Sequence, residues 1–306
     1  MVDRHDVHAA CAEPASSAGG RADVAGNPGA GVDPAPTEAI AEEVAEEVAL
    51  PEILAAIDDG EMEPHYQPLV SLESRRLVGV EALARWNRPG RGQTPPCEFV
   101  PHLEHSRRVS ALTAWMLDRA GEDLATWQQR FRLPPDFHVA VNVSATELVD
   151  DRLVAMAADA IGRHGIPPAA LCLELTETAR IDDLATAIGV FVQLRRLGVR
   201  VAIDDFGAGF AGPLQLESLP FDLVKIDHSY VADVEHRADC VDFISRTVAA
   251  AARRSVGVVA EGVETSAQAR TLRSLGCRHG QGWSFGRAGP AEAVLSTWVG
   301  ARAPSA

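Results

Sequence analysis

The chain has 306 residues, is 46% hydrophobic and 23% charged, and carries a net charge of −15. It is long and apolar enough for one large core or two modest ones, yet no uninterrupted apolar run approaches the roughly 20 residues a membrane-spanning helix requires. An acidic balance without a basic stretch argues against a DNA-binding role.

The acidity sits at the front. Residues 1–62 hold 14 Asp and Glu against 2 Arg, which leaves residues 63–306 near neutrality at −3. Residues 1–36 are rich in Ala, Gly, Pro, Ser and Asp without periodicity, and such a stretch buries too little apolar surface to offset chain entropy. It is predicted to be a disordered tail, and it lacks the apolar core of a secretory signal, which points to a cytoplasmic protein. The five cysteines, Cys11, Cys97, Cys172, Cys240 and Cys277, are scattered and form no C-x-x-C pair; they read as reduced thiols without a zinc site.

Thr37 caps a predicted acidic helix over residues 37–50, whose Ile40, Val44 and Val48 recur at i+4 and form one apolar stripe. The stripe is expected to dock on the globular part or to take a regulatory protein. Pro51 then restarts a short helix that ends near Gly60. Onward from Glu63, β-branched runs alternate with helical patterns, which argues for a parallel α/β architecture. Eight strands are predicted: Pro64–Val70, Leu77–Trp86, His138–Ser144, Leu171–Glu177, Arg200–Phe206, Leu223–Asp227, Ser255–Val263 and Cys277–Trp283. Helices are predicted over Ser110–Phe131, Leu184–Leu197 and Cys240–Arg253. This count in about 245 residues matches a (β/α)8 TIM-type barrel, placed at residues 51–295 with a C-terminal tail at 296–306.

In such a barrel chemistry collects at the C-terminal ends of the strands, and there hydrophobic patterning fails repeatedly. Glu81, Asn142, Glu174, Asp204, Asp205, Lys225, Glu261 and Gln281 interrupt or close apolar runs. Lys225 is the single lysine beside 27 arginines, and an ammonium is a compact point charge where a guanidinium is a planar fork. Five convergent carboxylates cannot all pair with one lysine, and unpaired they would take up protons unless a cation neutralised them. Ligands of oxygen alone suit Mg2+ or Mn2+ rather than zinc. The adjacent pair Asp204–Asp205 reaches one site only where the strand gives way to a loop, and Gly207 and Gly209 mark that exit. Such a pair can bridge two ions of the kind that assist phosphoryl displacement. Barrel enzymes that abstract a proton next to a carboxylate also combine a lysine with carboxylate-held Mg2+, and the Asp-Asp pair favours the two-ion chemistry over them.

These residues resemble the EAL-domain phosphodiesterases of cyclic di-GMP. The match runs through Tyr66–Pro68, Glu81–Leu83 with Arg85 and Trp86, Asn142–Ser144, Glu174–Glu177, Asp204–Gly207, Lys225–Asp227, Ala260–Thr265 and Gln281–Gly282. The resemblance implies an EAL-type modified barrel that hydrolyses one phosphodiester of cyclic di-GMP to pGpG with two divalent ions. It places one ion on Glu81, Asn142, Glu174 and Asp204, and a second on Asp204 and Asp205 beside Glu261. Lys225, with Glu261, would serve catalysis by positioning a metal-activated water. Arg85 would contact a phosphate and Gln67 the dinucleotide; Asp227 would orient Lys225 or contact ligand, and Gln281 would support the site by hydrogen bonding. A homodimer is a further implied partner.

One stretch departs from the family. The loop that usually reads Asp-Asp-Phe-Gly-Thr-Gly-Tyr-Ser-Ser here reads Asp-Asp-Phe-Gly-Ala-Gly-Phe-Ala-Gly, from Asp204 to Gly212 and then Pro213. Its hydroxyls, which in the family are anchored by a glutamate matching Glu177, are gone, so hydrolysis is expected to be slowed. The alternative is a low-turnover receptor or protein-interaction module that binds cyclic di-GMP.

Overall fold

The computed structural model describes residues 48–176, 184–208 and 220–300. The predicted tail 1–36, residues 37–47 of the predicted acidic helix, Glu177, the altered loop from Gly209 on, and residues 301–306 lie outside them. Val48, the last residue of the predicted stripe, is buried in the main core and precedes the first described helix.

That helix, α1 (Leu50–Asp58), carries Pro51 in its first turn, where a missing N–H costs nothing. Next come β1 (Met62–Ser71), β2 (Leu77–Arg88) and the short β3 (Gly92–Thr94). Two helices, α2 (Pro96–His105) and α3 (Val109–Arg130), lead to β4 (His138–Val143). The chain then alternates through α4 (Arg152–His164), β5 (Leu171–Thr176), α5 (Leu184–Leu197), β6 (Arg200–Phe206) and β7 (Leu223–Ile226). It finishes with α6 (His228–Ala232), α7 (Ala238–Arg253), β8 (Gly257–Ala260), α8 (Ser266–Ser274), β9 (His279–Gln281) and α9 (Ala291–Trp298).

Eight strands close a barrel in the order β1-β9-β8-β7-β6-β5-β4-β2, with β1 and β2 also paired, while β3 extends β2 outside the ring. All eight predicted strands are present. The expectation of an all-parallel sheet needs one correction: β1 runs antiparallel to both of its neighbours, β2 and β9. Only residues 72–76 separate β1 from β2, and a parallel return needs a crossover of a dozen or more. The other ring pairs are parallel, so β2 and β4 to β9 deliver their C-terminal ends to one face.

Small residues Ala140, Cys172 and Ala202 pack together on neighbouring strands, and Leu69, Val78 and Val259 pack together from β1, β2 and β8. The main core lies between the strands and the helices, with Trp86, Phe99, Leu117, Phe191 and Ile244 fully or almost fully buried. Among the described residues Cys172, Cys240 and Cys277 are buried free thiols, whereas Cys97 is disulfide-bonded. That departs from the expectation of five reduced thiols. Among the described residues no helix is long and apolar enough to cross a membrane.

Candidate active site

Four strands and one loop converge on Lys225. Its Nζ lies 2.8 Å from Glu174 Oε2, 2.8 Å from Glu261 Oε1, 3.0 Å from Asp204 Oδ1 and 3.2 Å from Glu81 Oε2. The ammonium is 2% exposed, and each of these carboxylates is buried as well. β5 supplies Glu174, β6 Asp204 and β7 Lys225; Glu261 follows β8 directly. Glu81 sits in the middle of β2 rather than at its end, one residue before the last pair of the parallel β2–β4 ladder, Ala82 with Val141. Beyond that level β2 continues as a hairpin arm with β1 and β3, so Glu81 still lies where the parallel barrel ends.

Asp204 and Asp205 share the site by a route other than the predicted strand exit. β6 continues to Phe206, and its register with β7 shifts between Ile203 and Phe206. At this bulge Asp205 takes φ +52°, a left-handed conformation uncommon for a residue with a side chain. The Asp205 N–H donates to Asp204 Oδ1 at 3.0 Å. Gly207 follows at φ +105°, and a Cβ there would collide with the rings of Tyr230 and Phe243. Those rings stack at 3.9 Å, and Phe243 stacks in turn on Phe206 at 5.9 Å. An aromatic clamp from α6 and α7 therefore holds the turn that carries Asp205, a support the sequence reading missed.

The neighbouring motif residues mostly fix loops. After β4, Ser144 and Glu147 form a reciprocal capping box, which pins the chain just beyond Asn142. After Glu261, Thr265 and Gln268 form another, and Gln268 Oε1 also accepts from the Glu264 N–H at 2.8 Å. Asp227 caps α6: its carboxylate accepts from the Ser229 N–H at 3.0 Å and from the Ser229 hydroxyl, and it pairs with His228 Nδ1 at 3.0 Å. That occupies the group predicted to orient Lys225. Gln281 Nε2 donates to Glu81 Oε2 at 2.6 Å and to Gln67 Oε1 at 2.9 Å, which ties both predicted substrate-side amides to the carboxylate cluster. Asn142 Nδ2 donates to Glu81 Oε1 at 2.7 Å. Arg85 is buried and donates to the Ala84 carbonyl at 3.0 Å. Tyr66, quoted in a motif but given no role, is buried with its hydroxyl donating to Asp123 at 2.6 Å.

The electrostatics are unbalanced. Burial alone would depress the Lys225 pKa, but Asp204, Glu174, Glu261 and Glu81 together hold it well above the ordinary lysine value; the ammonium stays protonated. Burial, with the charges of Glu81 and Asp204, pushes Glu174 up to about 8. Burial and the adjacent Asp204 push Asp205 up to about 7. Burial also raises Asp204, and burial with Asp204 raises Glu261 well above the carboxylate range. Burial would raise Glu81 too, but Lys225 and the amides of Gln281 and Asn142 outweigh it and leave its pKa lowered.

Glu261 Oε2 is buried and has no hydrogen-bond partner. Carboxylate oxygens of Glu81, Glu174 and Asp204 lie within 4.8 Å of one another, as do those of Asp204, Asp205 and Glu261. Two such sets sharing Asp204, an orphaned oxygen and one cation for five acids fit divalent cations held by oxygen. A cavity of about 370 Å3 lined by Arg195, Arg196, Arg200 and Asp222 opens at the start of β6, the opposite end of the barrel, and contains none of these groups.

The sequence pattern of the EAL domain matches residues 51–288. The chain belongs to the EAL domain family. An uncharacterized signaling protein of Caulobacter vibrioides is 40% identical over 251 residues, 82% of this chain and 30% of that protein. The bifunctional diguanylate cyclase/cyclic di-GMP phosphodiesterase MucR of Pseudomonas aeruginosa is 35% identical over 81% of this chain and 36% of its own length. The chain thus spans about a third of the length of these curated relatives. The solved structure of the PaMucR phosphodiesterase in complex with c-di-GMP superposes with a TM-score of 0.74 at 35% identity, covering 80% of this chain and 99% of that one. This EAL domain accordingly shares its closed barrel with a cyclic di-GMP phosphodiesterase.

Proposed function

We propose that this EAL domain hydrolyses one phosphodiester of cyclic di-GMP to linear pGpG with two divalent ions, Mg2+ or Mn2+. The observation that carries the reading is the environment of Lys225: one ammonium among four buried carboxylates, with Glu261 Oε2 unpartnered. Glu81, Asn142, Glu174 and Asp204 would hold one ion; Asp204, Asp205 and Glu261 would hold the other. Bound there, the ions supply charge neutralisation and acidify a water for attack on phosphorus. Lys225, protonated throughout, acts as a donor that orients the attacking water and offsets charge on the phosphoryl oxygens rather than as a base. Gln281 and Asn142 keep Glu81 aimed and ionised. A water adds to one phosphorus, the P–O3′ bond breaks, and the released 3′ oxygen takes up a proton.

The second reading is a cyclic di-GMP receptor of low turnover. It is favoured by the loss of hydroxyls at Ala208, Phe210, Ala211 and Gly212. One experiment tests both readings: incubate the protein with cyclic di-GMP and Mn2+ or EDTA, with Glu81→Ala as control, and measure binding and pGpG. Mn2+-dependent pGpG that Glu81→Ala abolishes supports the hydrolase, and saturable binding without product supports the receptor.

A further inference from the structure

Two large hydrophobic side chains are exposed among the described residues, Val149 and Trp283. Trp283 follows by two residues Gln281, whose side chain reaches the carboxylate cluster. Its strand, β9, ends at Gln281, whose amide reaches Glu81 and Gln67. The turn that follows is tied to the loop after Glu261 on both sides: the Val263 N–H donates to the Gln281 carbonyl at 2.9 Å, and the Ser284 N–H donates to the Val263 carbonyl at 2.9 Å. Between these two bonds Gly282 takes φ +148°, and a Cβ there would run into the Val263 backbone. The turn is therefore rigid, and it sets Trp283 on the rim between the loops of Glu261 and Gln281.

The indole is 37% exposed. The Arg287 guanidinium stacks on its ring, with its central carbon 4.0 Å from the ring centroid. That stacking uses one ring face and fixes the plane of the other. A large apolar ring held open to water beside a polar catalytic mouth contributes nothing to the core, but it suits an aromatic ligand.

We propose that Trp283 is a stacking platform for one guanine base of cyclic di-GMP, held in position by Arg287. The inference rests on the proposed substrate and adds a base contact to the phosphate chemistry at Lys225. Phosphates drawn to the cluster would leave the bases to find partners on the rim. Stacking on an aromatic side chain is strong enough to set affinity, because either face of a purine presents a π-surface.

The test compares wild type, Trp283→Ala, Trp283→Phe and Arg287→Ala by initial rates with Mn2+ and by stopped-flow tryptophan fluorescence before turnover. Trp283→Ala is expected to raise KM for cyclic di-GMP about tenfold or more, the scale of one lost base stack, with kcat changed less than about twofold. Trp283→Phe should restore most of the affinity yet lose the fast quench expected of wild type on ligand addition. Arg287→Ala should give an intermediate rise in KM. An unchanged KM in Trp283→Ala, or a quench that survives in Trp283→Phe, overturns the platform and leaves the hydrolase reading standing. Absence of pGpG from wild type overturns the hydrolase reading instead, and the same comparison is then read on Kd by calorimetry.

Discussion

Replacing Lys225 with methionine keeps a side chain of similar length and removes the charge. In wild type the ammonium touches four carboxylates at 2.8 to 3.2 Å and is 2% exposed. Removing one partner of a buried ion pair costs about 3–5 kcal/mol when the remaining charge is left uncompensated. Here compensation is partial, since Glu174 at about 8 and Glu261 already hold protons near neutrality, so the lower end, about 3 kcal/mol, is expected for the metal-free protein at pH 7. For a domain of this size that corresponds to a fall in Tm of roughly 6–12 °C. Divalent ions would supply the missing positive charge, so Mn2+ should return most of the lost stability. Turnover should not return with it: loss of a preorganised donor costs about 10²–10³ in kcat. The assay is thermal unfolding of both proteins in EDTA and in Mn2+, beside pGpG formation. Equal Tm values in EDTA would show that the ammonium does not neutralise the cluster, and full turnover by Lys225→Met would refute its role as donor.

The pKa shifts set a pH dependence. Glu174 and Asp205 have folded values near 8 and 7, raised from ordinary carboxylate values of 4.5 and 3.8. The native state therefore holds more protons than the unfolded chain in this window, and the stability they contribute is lost as pH rises through 7 and 8. The slope is about 1.4 kcal/mol per pH unit for each group between its unfolded and its folded pKa, and it vanishes outside that interval. In EDTA, Tm should fall from pH 5 to pH 9, while the gain from Mn2+ grows over the same range; a flat profile in EDTA contradicts the assignment. Phe243→Ala removes the middle ring of the clamp beneath Gly207. It should cost about 2–3 kcal/mol, discounted from full burial, and weaken Mn2+ binding through Asp205, as read by calorimetry. Cyclic di-GMP binding itself should require a divalent ion, so titration in EDTA should give no saturable heat.

Much of the site was legible because its residues break a rule that the rest of the chain keeps. Glu174, Asp204, Lys225 and Glu261 interrupt β-branched runs, and the barrel brings the three carboxylates to 2.8–3.0 Å from the Lys225 ammonium. The direction of β1 was not legible in its apolar pattern, since alternation reads the same either way; the short connection at 72–76 was the available signal. Asp205 was expected at a strand exit because neighbours on a strand face opposite sides. A bulge with positive φ does the same work while the strand continues. The capping role of Asp227 did leave a signature, an aspartate two residues before a serine N–H at a helix start. It was hidden because the same residue lies two places from Lys225.

The hydrolase and receptor readings meet in one physical requirement. Cyclic di-GMP carries two phosphate charges, and two unit charges 4 Å apart at a partly hydrated site interact by roughly 4 kcal/mol. A mouth with five carboxylates and one lysine would repel that ligand however well its bases stacked. Protonation of Glu174 and Glu261 lessens the repulsion but leaves no net positive charge to attract a phosphate. Divalent ions reverse the sign, because each brings two positive charges to oxygens already gathered around Asp204. On the proposed chemistry this cluster would be as necessary for binding the dinucleotide as for cleaving it, and an intact cluster alone does not separate enzyme from receptor. The separation falls to groups whose job exists only after the ions are bound. Lys225 is the clearest of these: buried, protonated and aimed at the same oxygens, in the proposed hydrolase it would act on the phosphoryl group in flight rather than on metal affinity.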